Sequence, residues 1–332
     1  MSVKQARKSV LITGCSPGGI GHALAREFHA KGRPSHEILI SGPSATALGR
    51  RNGTEADELS LLLLGLHVIA TARTKEAIQD LEDMGMSTLA LDVTSKEGIA
   101  EARVQVEKLT GGRLDVLVNN ALVFLFPFLF VGGGRNCTLP ATEVDLDDAR
   151  ACFETNFFAV IALTQTFVPL LIASKGLILN IGSVAAIVPY VFGSVYNASK
   201  AALHAYSQTL RLELEPYDVN VLVVITGGVQ SRIARTDRVL VSDSLYLEIK
   251  GDFERRVKHS QDGAMGNEEY ARGVVREALK GKATMKKWYW RGNKSWLVWF
   301  VSTWVGSWAF DWILPGMFGL RKLKGIVRAR AR

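Results

Sequence analysis

Cysteine is scarce in this chain of 332 residues, which contains only Cys15, Cys137 and Cys152. Three scattered cysteines exclude a disulfide-stabilised scaffold, and no cluster of Cys and His has the spacing of a zinc site. We therefore expect a reducing compartment and no bound metal. The N-terminus also lacks a long apolar stretch with a cleavage site, so a secretory signal peptide is not predicted.

Tryptophan is absent from the first 287 residues, and acidic side chains are nearly absent from the C-terminal segment. All seven tryptophans lie between residues 288 and 312, and from Gly281 onward there are eleven Lys and Arg residues but only one acidic residue, Asp311. The chain before Gly281 has 29 basic and 31 acidic residues, so the net charge of +8 comes from the C-terminal segment. Trp beside Lys and Arg is typical of a membrane–water boundary. This composition favours a membrane surface as partner and disfavours nucleic acid.

Apolar β-rich segments alternate with helical patterns between residues 9 and 226. Hydrophobic residues make up 48% of the chain, enough for a large buried core. Near-continuous apolar strands separated by helices indicate a parallel sheet with helices on both faces. We therefore predict an α/β fold with a Rossmann-like, doubly wound parallel sheet over residues 1–287, followed by an apolar and basic membrane-associating tail over 288–332. Predicted strands span 9–13, 67–72, 88–93, 114–121, 177–183 and 219–226, and predicted helices lie near 22–32, 75–84, 95–110, 147–173 and 194–215.

Two stretches interrupt this alternation. Residues 33–65 lie where a crossover loop normally needs about 2–6 residues, and residues 122–133 form an apolar run directly after the sequence NNA. Removing both on paper leaves ordinary connections between strands and helices. We interpret both as insertions, for example translated intron sequence, and genuine lineage-specific loops are the alternative.

A glycine-rich turn follows the first predicted strand and opens the first helix. Backbone N–H groups at a helix N-terminus bind a pyrophosphate, and Gly14, Gly19 and Gly21 permit a tight turn and close approach of that phosphate. This strand–turn–helix context predicts a dinucleotide site. The candidate cofactor-binding residues in the turn are Gly14, Ser16, Gly19, Ile20 and Gly21.

Arg73 follows the second predicted strand, where an acidic residue would favour NAD. An Arg at this point can bind a 2′-phosphate, so it favours NADP(H), and a solvated surface Arg is the alternative. Asp92 ends the third predicted strand. Its carboxylate can accept from the adenine amino group or can cap the following helix.

Ser183, Tyr196 and Lys200 form the most specific group in the sequence. Tyr196 and Lys200 are four residues apart on a predicted helix, so their side chains project from one face. A neighbouring ammonium stabilises a phenolate and lowers its pKa, which predicts Tyr196 as a proton donor to a carbonyl oxygen. Ser183, at the end of a strand, can hydrogen-bond the same oxygen.

The ordered set TGCSPGGIG, NNA, Asn156, Ser183 and YNASK resembles the short-chain dehydrogenase/reductase family over residues 9 to 280. The resemblance implies that Tyr196 is the catalytic acid/base, that Lys200 lowers its pKa and binds ribose, and that Ser183 donates to the substrate oxygen. It also implies that Asn156 holds a water of a proton relay, although a polar group inside a helix is the alternative. The remaining implied cofactor residues are Asn120 and Ala121 on the ribose side and Gly228 and Val229 near the carboxamide.

Within that family, the turn TGCSxGGIG, the TGG at residues 226–228 and the Trp-rich ending resemble the fungal acyl-dihydroxyacetone-phosphate reductase branch. This implies NADPH-dependent reduction of the ketone of 1-acyl-dihydroxyacetone phosphate to 1-acylglycerol 3-phosphate, at the endoplasmic reticulum membrane and lipid droplets with the catalytic domain facing the cytosol. Arg232 and Arg235 are candidates for binding the substrate phosphate, and exposed charges on a helix are the alternative. The alternatives are a ketosteroid or retinoid dehydrogenase and a catalytically inactive membrane-associated scaffold.

The tail has two interpretations that are compatible. It is predicted either as an interfacial anchor, whose basic residues after Leu320 contact anionic head groups, or as a hydrophobic lid over the active site. A lipid-like small molecule is the expected substrate in both cases. The sequence leaves open whether the chain forms a homo-oligomer.

Overall fold

The computed structural model describes residues 7–32, 65–120, 138–231 and 238–332. Its centre is a sheet of seven strands in the order β3-β2-β1-β4-β5-β6-β7, and every neighbouring pair is parallel. This confirms the predicted Rossmann-like parallel sheet. The strands are β1 Lys8–Ile12, β2 Leu66–Ala72, β3 Ser87–Ala90, β4 Val116–Asn119, β5 Leu177–Ile181, β6 Asn220–Thr226 and β7 Trp288–Arg291.

Helices connect successive strands and cover both faces of the sheet, because a parallel strand pair needs a crossover connection. A π-helical turn, Glu154–Phe158, joins two helices into one long rod. The helices are α1 Ile20–Lys31, α2 Gln79–Asp83, α3 Lys96–Thr110, α4 Leu146–Phe153, α5 Ala159–Ser174, α6 Ser194–Leu214, α7 Lys250–Lys258, α8 Asn267–Ala278, α9 Ser295–Phe300, α10 Trp308–Met317 and α11 Leu320–Arg330.

Two apolar layers hold the sheet between these helices. On one face, α1 and α8 bury Phe28, Tyr270 and neighbouring aliphatic residues against the strands. On the other face, α3, α5 and α6 bury residues such as Val106 and Phe167. All of β5 is buried, as expected for a central strand of a sheet that is covered on both faces.

The first, second, fourth and fifth strands end beside residues that the sequence analysis selected. Because the strands are parallel, their carboxyl ends lie along one edge of the sheet. The sheet order reverses between β1 and β4, which leaves a crevice at this edge. The turn after β1 and the residues that follow β4 therefore meet at the place where such sheets bind ligands.

The sheet extends into the segment that the sequence analysis assigned to the tail. β7 begins at Trp288, directly after the predicted domain boundary, and it pairs with β6 through Val223–Trp288 and Thr226–Arg291. The boundary at residue 287 is therefore corrected: residues 288–291 are part of the sheet. Trp and Tyr have high β-propensity, and pairing with a buried neighbouring strand decides the structure of this aromatic segment.

The chain on either side of the first predicted insertion comes together in space. A Cβ built on Gly32 would lie 2.3 Å from the backbone nitrogen of Leu66, and a Cβ on Gly65 would lie 2.3 Å from the carbonyl oxygen of Gly32. This proximity supports the interpretation of residues 33–65 as an insertion, which stays a prediction. Residues 33–64 and the second predicted insertion, 122–133, lie outside the described residues.

Candidate active site

The glycine-rich turn after β1 forms an open cradle at the start of α1. Gly14 has φ of 73°, a conformation that side chains disfavour, and the N-cap of α1, Gly19, supplies no side-chain cap. A Cβ on Gly21 would lie only 2.4 Å from both the carbonyl oxygen of Gly14 and Nδ2 of Asn120. The turn therefore leaves the first N–H groups of a twelve-residue helix uncapped by side chains, which fits a pyrophosphate.

Asn120 ties this turn to the end of β4. Its Nδ2 donates to the carbonyl oxygens of Thr13 at 2.9 Å and Gly14 at 3.1 Å, while its backbone N–H donates to Oγ1 of Thr13 at 3.0 Å. The side chain is buried, and its Oδ1 has no hydrogen-bond partner among the described residues. Asn120 thus fixes the shape of the cradle. Ser16 contributes through its carbonyl oxygen, which accepts from the N–H of Gly19 at 3.1 Å.

Arg73 and Asp92 lie together in a cavity of about 320 Å³ beside the ends of β2 and β3. Oδ1 of Asp92 accepts from the backbone N–H of Thr94 at 2.9 Å, and the N-cap of α3 is Ser95. The helix-capping alternative for Asp92 is therefore wrong. Arg150 lines the same cavity but is paired with Asp147 at 2.8 Å, and the lining also contains the carboxylates of Asp92 and Glu154. Arg73 is therefore the candidate in this cavity for the predicted 2′-phosphate.

Ser183, Tyr196 and Lys200 come together on one large cavity, as their spacing predicted. Lys200 is buried, its Nζ lies 6.0 Å from the ring centroid of Tyr196, and it donates to the carbonyl oxygen of Ile181 at 2.9 Å. Oγ of Ser183 accepts from the N–H of Ala185 at 3.1 Å. The phenol, the hydroxyl and the ammonium group therefore share one site at the carboxyl edge of the sheet.

The electrostatics of this group differ from the expectation drawn from sequence. Burial raises the pKa of the Tyr196 phenol to about 12, and the hydrogen bond with Ser183 only partly opposes this. Burial also lowers the pKa of Lys200 to about 8. The expected lowering of the Tyr196 pKa by Lys200 is corrected: desolvation by burial dominates, and the Lys200 ammonium donates to the carbonyl oxygen of Ile181.

His204 is a site residue that sequence reasoning missed. It lies one helical turn after Lys200 on α6, and its Nε2 accepts from the backbone N–H of Ser183 at 3.2 Å. Burial and, to a smaller extent, nearby Lys200 lower the pKa of its imidazole to about 4, so the ring is neutral and can accept. Its edge-to-face contact with Trp288, at 5.4 Å between centroids, links the site to β7. The sequence did contain one signal for His204: it lies four residues after Lys200 on the same predicted helix, which places both side chains on one face.

Asn156 lies in the π-helical turn, close to the catalytic group but without a place in the described lining of the large cavity. Its Nδ2 donates to Oγ of Ser199 at 3.0 Å and contacts Sγ of Cys152 at 3.4 Å. These contacts fasten the π turn to α6 next to Lys200. The water-holding role of Asn156 stays a prediction. Cys15 and Cys152 are both buried, and neither forms a disulfide among the described residues.

The large cavity has a volume of about 340 Å³ and is closed on one side by the C-terminal segment. Residues of α9, α10 and the turn between them form an apolar wall, which includes Val298, Val301, Phe310, Leu314 and Met317. Phe310 and Leu314 are buried there against Val188. The C-terminal segment therefore covers the site, as the lid interpretation expected.

Three of the remaining predicted residues line this cavity, and three others lie outside the described residues. Ile20, Gly228 and Val229 line it, and Gly228 is bridged to Asn293, its N–H donating to the Asn293 carbonyl oxygen at 3.0 Å. Val229 is buried in the main core. Three candidates lie outside the described residues: Ala121, Arg232 and Arg235.

The parallel sheet, the uncapped glycine turn at its switch point and the Ser–Tyr–Lys group define a dinucleotide-dependent oxidoreductase. A profile of the family described as short chain dehydrogenase matches residues 56–239. The short-chain dehydrogenase srdE of Neurospora crassa is 35% identical over 322 residues, which are 96% of this chain and 95% of that protein. The chain belongs to the short-chain dehydrogenase family and is an oxidoreductase acting on CH–OH or C=O groups.

Two further proteins are informative neighbours. The NADPH-dependent 1-acyldihydroxyacetone phosphate reductase of Schizosaccharomyces pombe is 37% identical over 248 residues, covering 73% of this chain and 69% of that protein. The crystal structure of a short-chain dehydrogenase from Streptomyces avermitilis matches with a TM-score of 0.64 at 22% identity, covering 98% of this chain and 99% of that one. At that identity the structural likeness supports the fold.

Proposed function

We propose that this protein uses NADPH to reduce the ketone of 1-acyl-dihydroxyacetone phosphate to 1-acylglycerol 3-phosphate. The observation that carries the proposal is the large cavity, which has the Tyr196 phenol, an apolar wall and basic side chains in one enclosure. An acyl chain suits the wall formed by α9 and α10, and a phosphate suits the basic end. The similarity to the reductase of S. pombe supports the same substrate.

The cofactor is assigned from the fit of two places along the sheet edge. The cradle at Gly14 and Gly21 has the backbone shape for a pyrophosphate. Arg73 follows β2, the position at which a basic side chain binds the 2′-phosphate of NADP in such folds. Ile20, the first residue of α1 after the cradle, lines the large cavity together with Lys200 and Gly228. Asn120 contacts the cradle at the carbonyl oxygen of Gly14. NADPH bound there supplies the hydride.

The residues of the chain supply proton transfer and orientation. The phenol of Tyr196 is protonated at neutral pH, since its pKa lies well above 7 and burial raises it to about 12, so it has a proton to donate to the carbonyl oxygen during reduction. Ser183, whose backbone His204 holds, hydrogen-bonds the same oxygen. Lys200, buried beside the phenol, provides positive charge that stabilises the phenolate left behind.

The direct test is a comparison of substrates with the purified full-length chain. We expect NADPH oxidation with 1-acyl-dihydroxyacetone phosphate, and a lower catalytic efficiency with neutral lipophilic ketones of similar length such as ketosteroids. The apolar wall alone would serve those neutral ketones, so a preference for them would replace the proposed substrate. A protein that binds NADPH and reduces none of these compounds would contradict the proposal.

Arg73→Asp is expected to lower the preference for NADPH over NADH at least about tenfold. A carboxylate repels the 2′-phosphate but accepts hydrogen bonds from free ribose hydroxyls. The ratio of kcat/KM for the two cofactors measures the effect. Lys75→Asp, an exposed change two residues away and outside the described cavity lining, is the control. An unchanged ratio in Arg73→Asp would assign the 2′-phosphate to another group, with Arg150 tested next.

The C-terminal segment is also proposed to lie on the membrane surface of the endoplasmic reticulum or of lipid droplets. Its helices α9 and α10 bury Phe310 and Leu314 inward but leave five tryptophans exposed: Trp296, Trp299, Trp304, Trp308 and Trp312. The exposed basic residues of α11 follow directly, and Trp with Lys and Arg favours an interfacial position. The same segment then serves as lid and as anchor.

A transmembrane helix is a weaker explanation for membrane binding. Within the described residues, one helical stretch, Leu146–Ser174, is long and apolar enough to span a bilayer, with a mean hydropathy of 2.0. Its second half buries Leu163, Phe167 and Leu171 against the sheet. We therefore interpret this stretch as a core helix of the domain.

Replacing both Trp304 and Trp312 by Glu is expected to reduce binding to anionic phospholipid vesicles at least about tenfold, because it removes apolar insertion and adds repulsion. These side chains are 71% and 70% exposed, so folding should be unaffected. Vesicle flotation measures binding. The control variant replaces the exposed apolar residues Leu212 and Leu245 by Glu. Equal flotation of both double variants would argue against this anchor.

A further inference from the structure

A buried arginine is part of the lining of the large cavity. Arg256, on α7, is 4% exposed and its side chain lines the cavity. Its Nε donates to the carbonyl oxygen of Val191 at 2.7 Å, and the guanidinium lies 3.5 Å from the ring centroid of Tyr190. These contacts hold the guanidinium plane in one orientation.

The charge of Arg256 forms no salt bridge within the described part of the chain. The neighbouring Arg255 pairs with Asp252 on the solvent side, whereas no Asp or Glu of the described residues forms a salt bridge with Arg256. Burial lowers the pKa of Arg256 to about 10, so the group is still protonated at neutral pH. Burying an unpaired charge is unfavourable, and an anion from outside would compensate it.

The surroundings of Arg256 add positive charge. Among the described residues that line the cavity, Lys200, Arg256 and Lys294 are basic, and Asp262 is the only carboxylate. His259 also lines it, and burial together with nearby Lys294 lowers its pKa. The imidazole is hydrogen-bonded to the hydroxyl of Tyr190. The lining near Arg256 is therefore cationic, and it adjoins the apolar wall, because Tyr190 and His259 pack against Phe318 of the C-terminal segment.

Arg256 also lies near the start of the helix that presents Tyr196. Its Nη2 is 3.1 Å from the position that a Cβ on Gly193 would occupy, and Gly193 is the N-cap of α6. Tyr196 follows three residues later and lines the same cavity. In 1-acyl-dihydroxyacetone phosphate only one methylene separates the ketone carbon from the phosphate ester oxygen. The anion must then be held in the same cavity as the phenol.

We propose that Arg256, assisted by Lys294, binds an oxyanion carried by the substrate and so selects phosphorylated ketones. The proposal rests on the proposed function for the identity of this anion, a phosphate monoester. A guanidinium binds such a group through charge-assisted, bidentate hydrogen bonds. Tyr190 stacks on the guanidinium at 3.5 Å, and the acyl chain would lie along the apolar wall formed by α9 and α10.

The first experiment compares Arg256→Gln with Arg255→Gln in the full-length, NADPH-loaded enzyme. The two substrates are 1-acyl-dihydroxyacetone phosphate and 1-acyl-dihydroxyacetone, which differ only in the phosphate. We expect the ratio of their kcat/KM values to fall about 10- to 100-fold in Arg256→Gln, the range of a lost charged hydrogen bond. Arg255→Gln, on the exposed side of α7, should leave the ratio unchanged. An equal loss on both substrates, or no loss, would overturn the proposal.

A second measurement separates this proposal from the proposed function. Calorimetric titration of NADPH-loaded enzyme with glycerol 3-phosphate should show binding that glycerol lacks and that Arg256→Gln loses. If this holds but the acyl substrate is not reduced, the anion site stands and the proposed function fails. If the acyl substrate is reduced equally well by Arg256→Gln, the function stands and the anion site is refuted. Should Arg256→Gln fail to fold, Lys294→Gln, at an exposed position, must weaken glycerol 3-phosphate binding in its place.

Discussion

Tyr196→Phe is expected to lower the turnover number at least about 100-fold, with the affinity for NADPH unchanged within about threefold. The substitution removes only the hydroxyl. The ring still fills the same space on α6, so the cavity and the cofactor cradle should keep their shape. The lost hydroxyl is the group whose pKa of about 12 keeps a transferable proton at neutral pH. Turnover is measured by NADPH absorbance and affinity by NADPH fluorescence.

Tyr206→Phe is the matched control for this experiment. Tyr206 lies on the same helix, ten residues later, and packs edge-to-face against Phe157 at 6.0 Å, outside the described lining of the cavity. Its loss of a hydroxyl should leave turnover within about threefold of the original value. If Tyr196→Phe retains more than a tenth of the original turnover, another group donates the proton.

Gly21→Ala is expected to raise the dissociation constant for NADPH at least about tenfold and to lower the free energy of unfolding by about 2 kcal/mol. The new Cβ would lie 2.4 Å from the carbonyl oxygen of Gly14 and from Nδ2 of Asn120. One of these must move, and both shape the cradle. Fluorescence titration measures the first effect and chemical denaturation the second.

Gly251→Ala is the control for the glycine substitution. Gly251 lies in the first turn of α7, and nothing lies within 4 Å of the Cβ that Ala would add. Because Ala is a better helix former than Gly, this variant should gain about 0.5–1 kcal/mol of stability without changing the affinity for NADPH. If Gly21→Ala behaves in the same way as Gly251→Ala, the cradle is not the place of phosphate binding.

The elements predicted from sequence were those whose signals are local. The ends of β1, β2, β5 and β6 lie within about two residues of the predicted strand ends. These strands were predictable because each is a short apolar run bounded by turn residues. The glycine turn and the Tyr196–Lys200 spacing are likewise local patterns. The long helix predicted near 147–173 was found as α4, a π-helical turn and α5. The π turn was not predicted, since it depends on packing around Asn156.

Other features depend on contacts between distant parts of the chain. The anchoring of Ser183 by His204 joins residues 21 positions apart, and β7 forms only where β6 offers an edge. The unpaired charge of Arg256 depends on which side chains are absent from its neighbourhood among the described residues. Neither hydrophobic periodicity nor a short motif contains such information.

The sequence by itself determined the parallel α/β sheet, the glycine cradle and the residues of the Ser–Tyr–Lys group, because chain order and spacing specify them. Only the tertiary structure decided the chemistry of that group. Burial raises the pKa of Tyr196 and lowers that of Lys200. For Tyr196 this is the opposite of the lowered pKa that its spacing from Lys200 predicted. The tertiary structure also turned the Trp-rich segment into a strand and a cavity wall, since the free energy of desolvation depends on what surrounds a group in space.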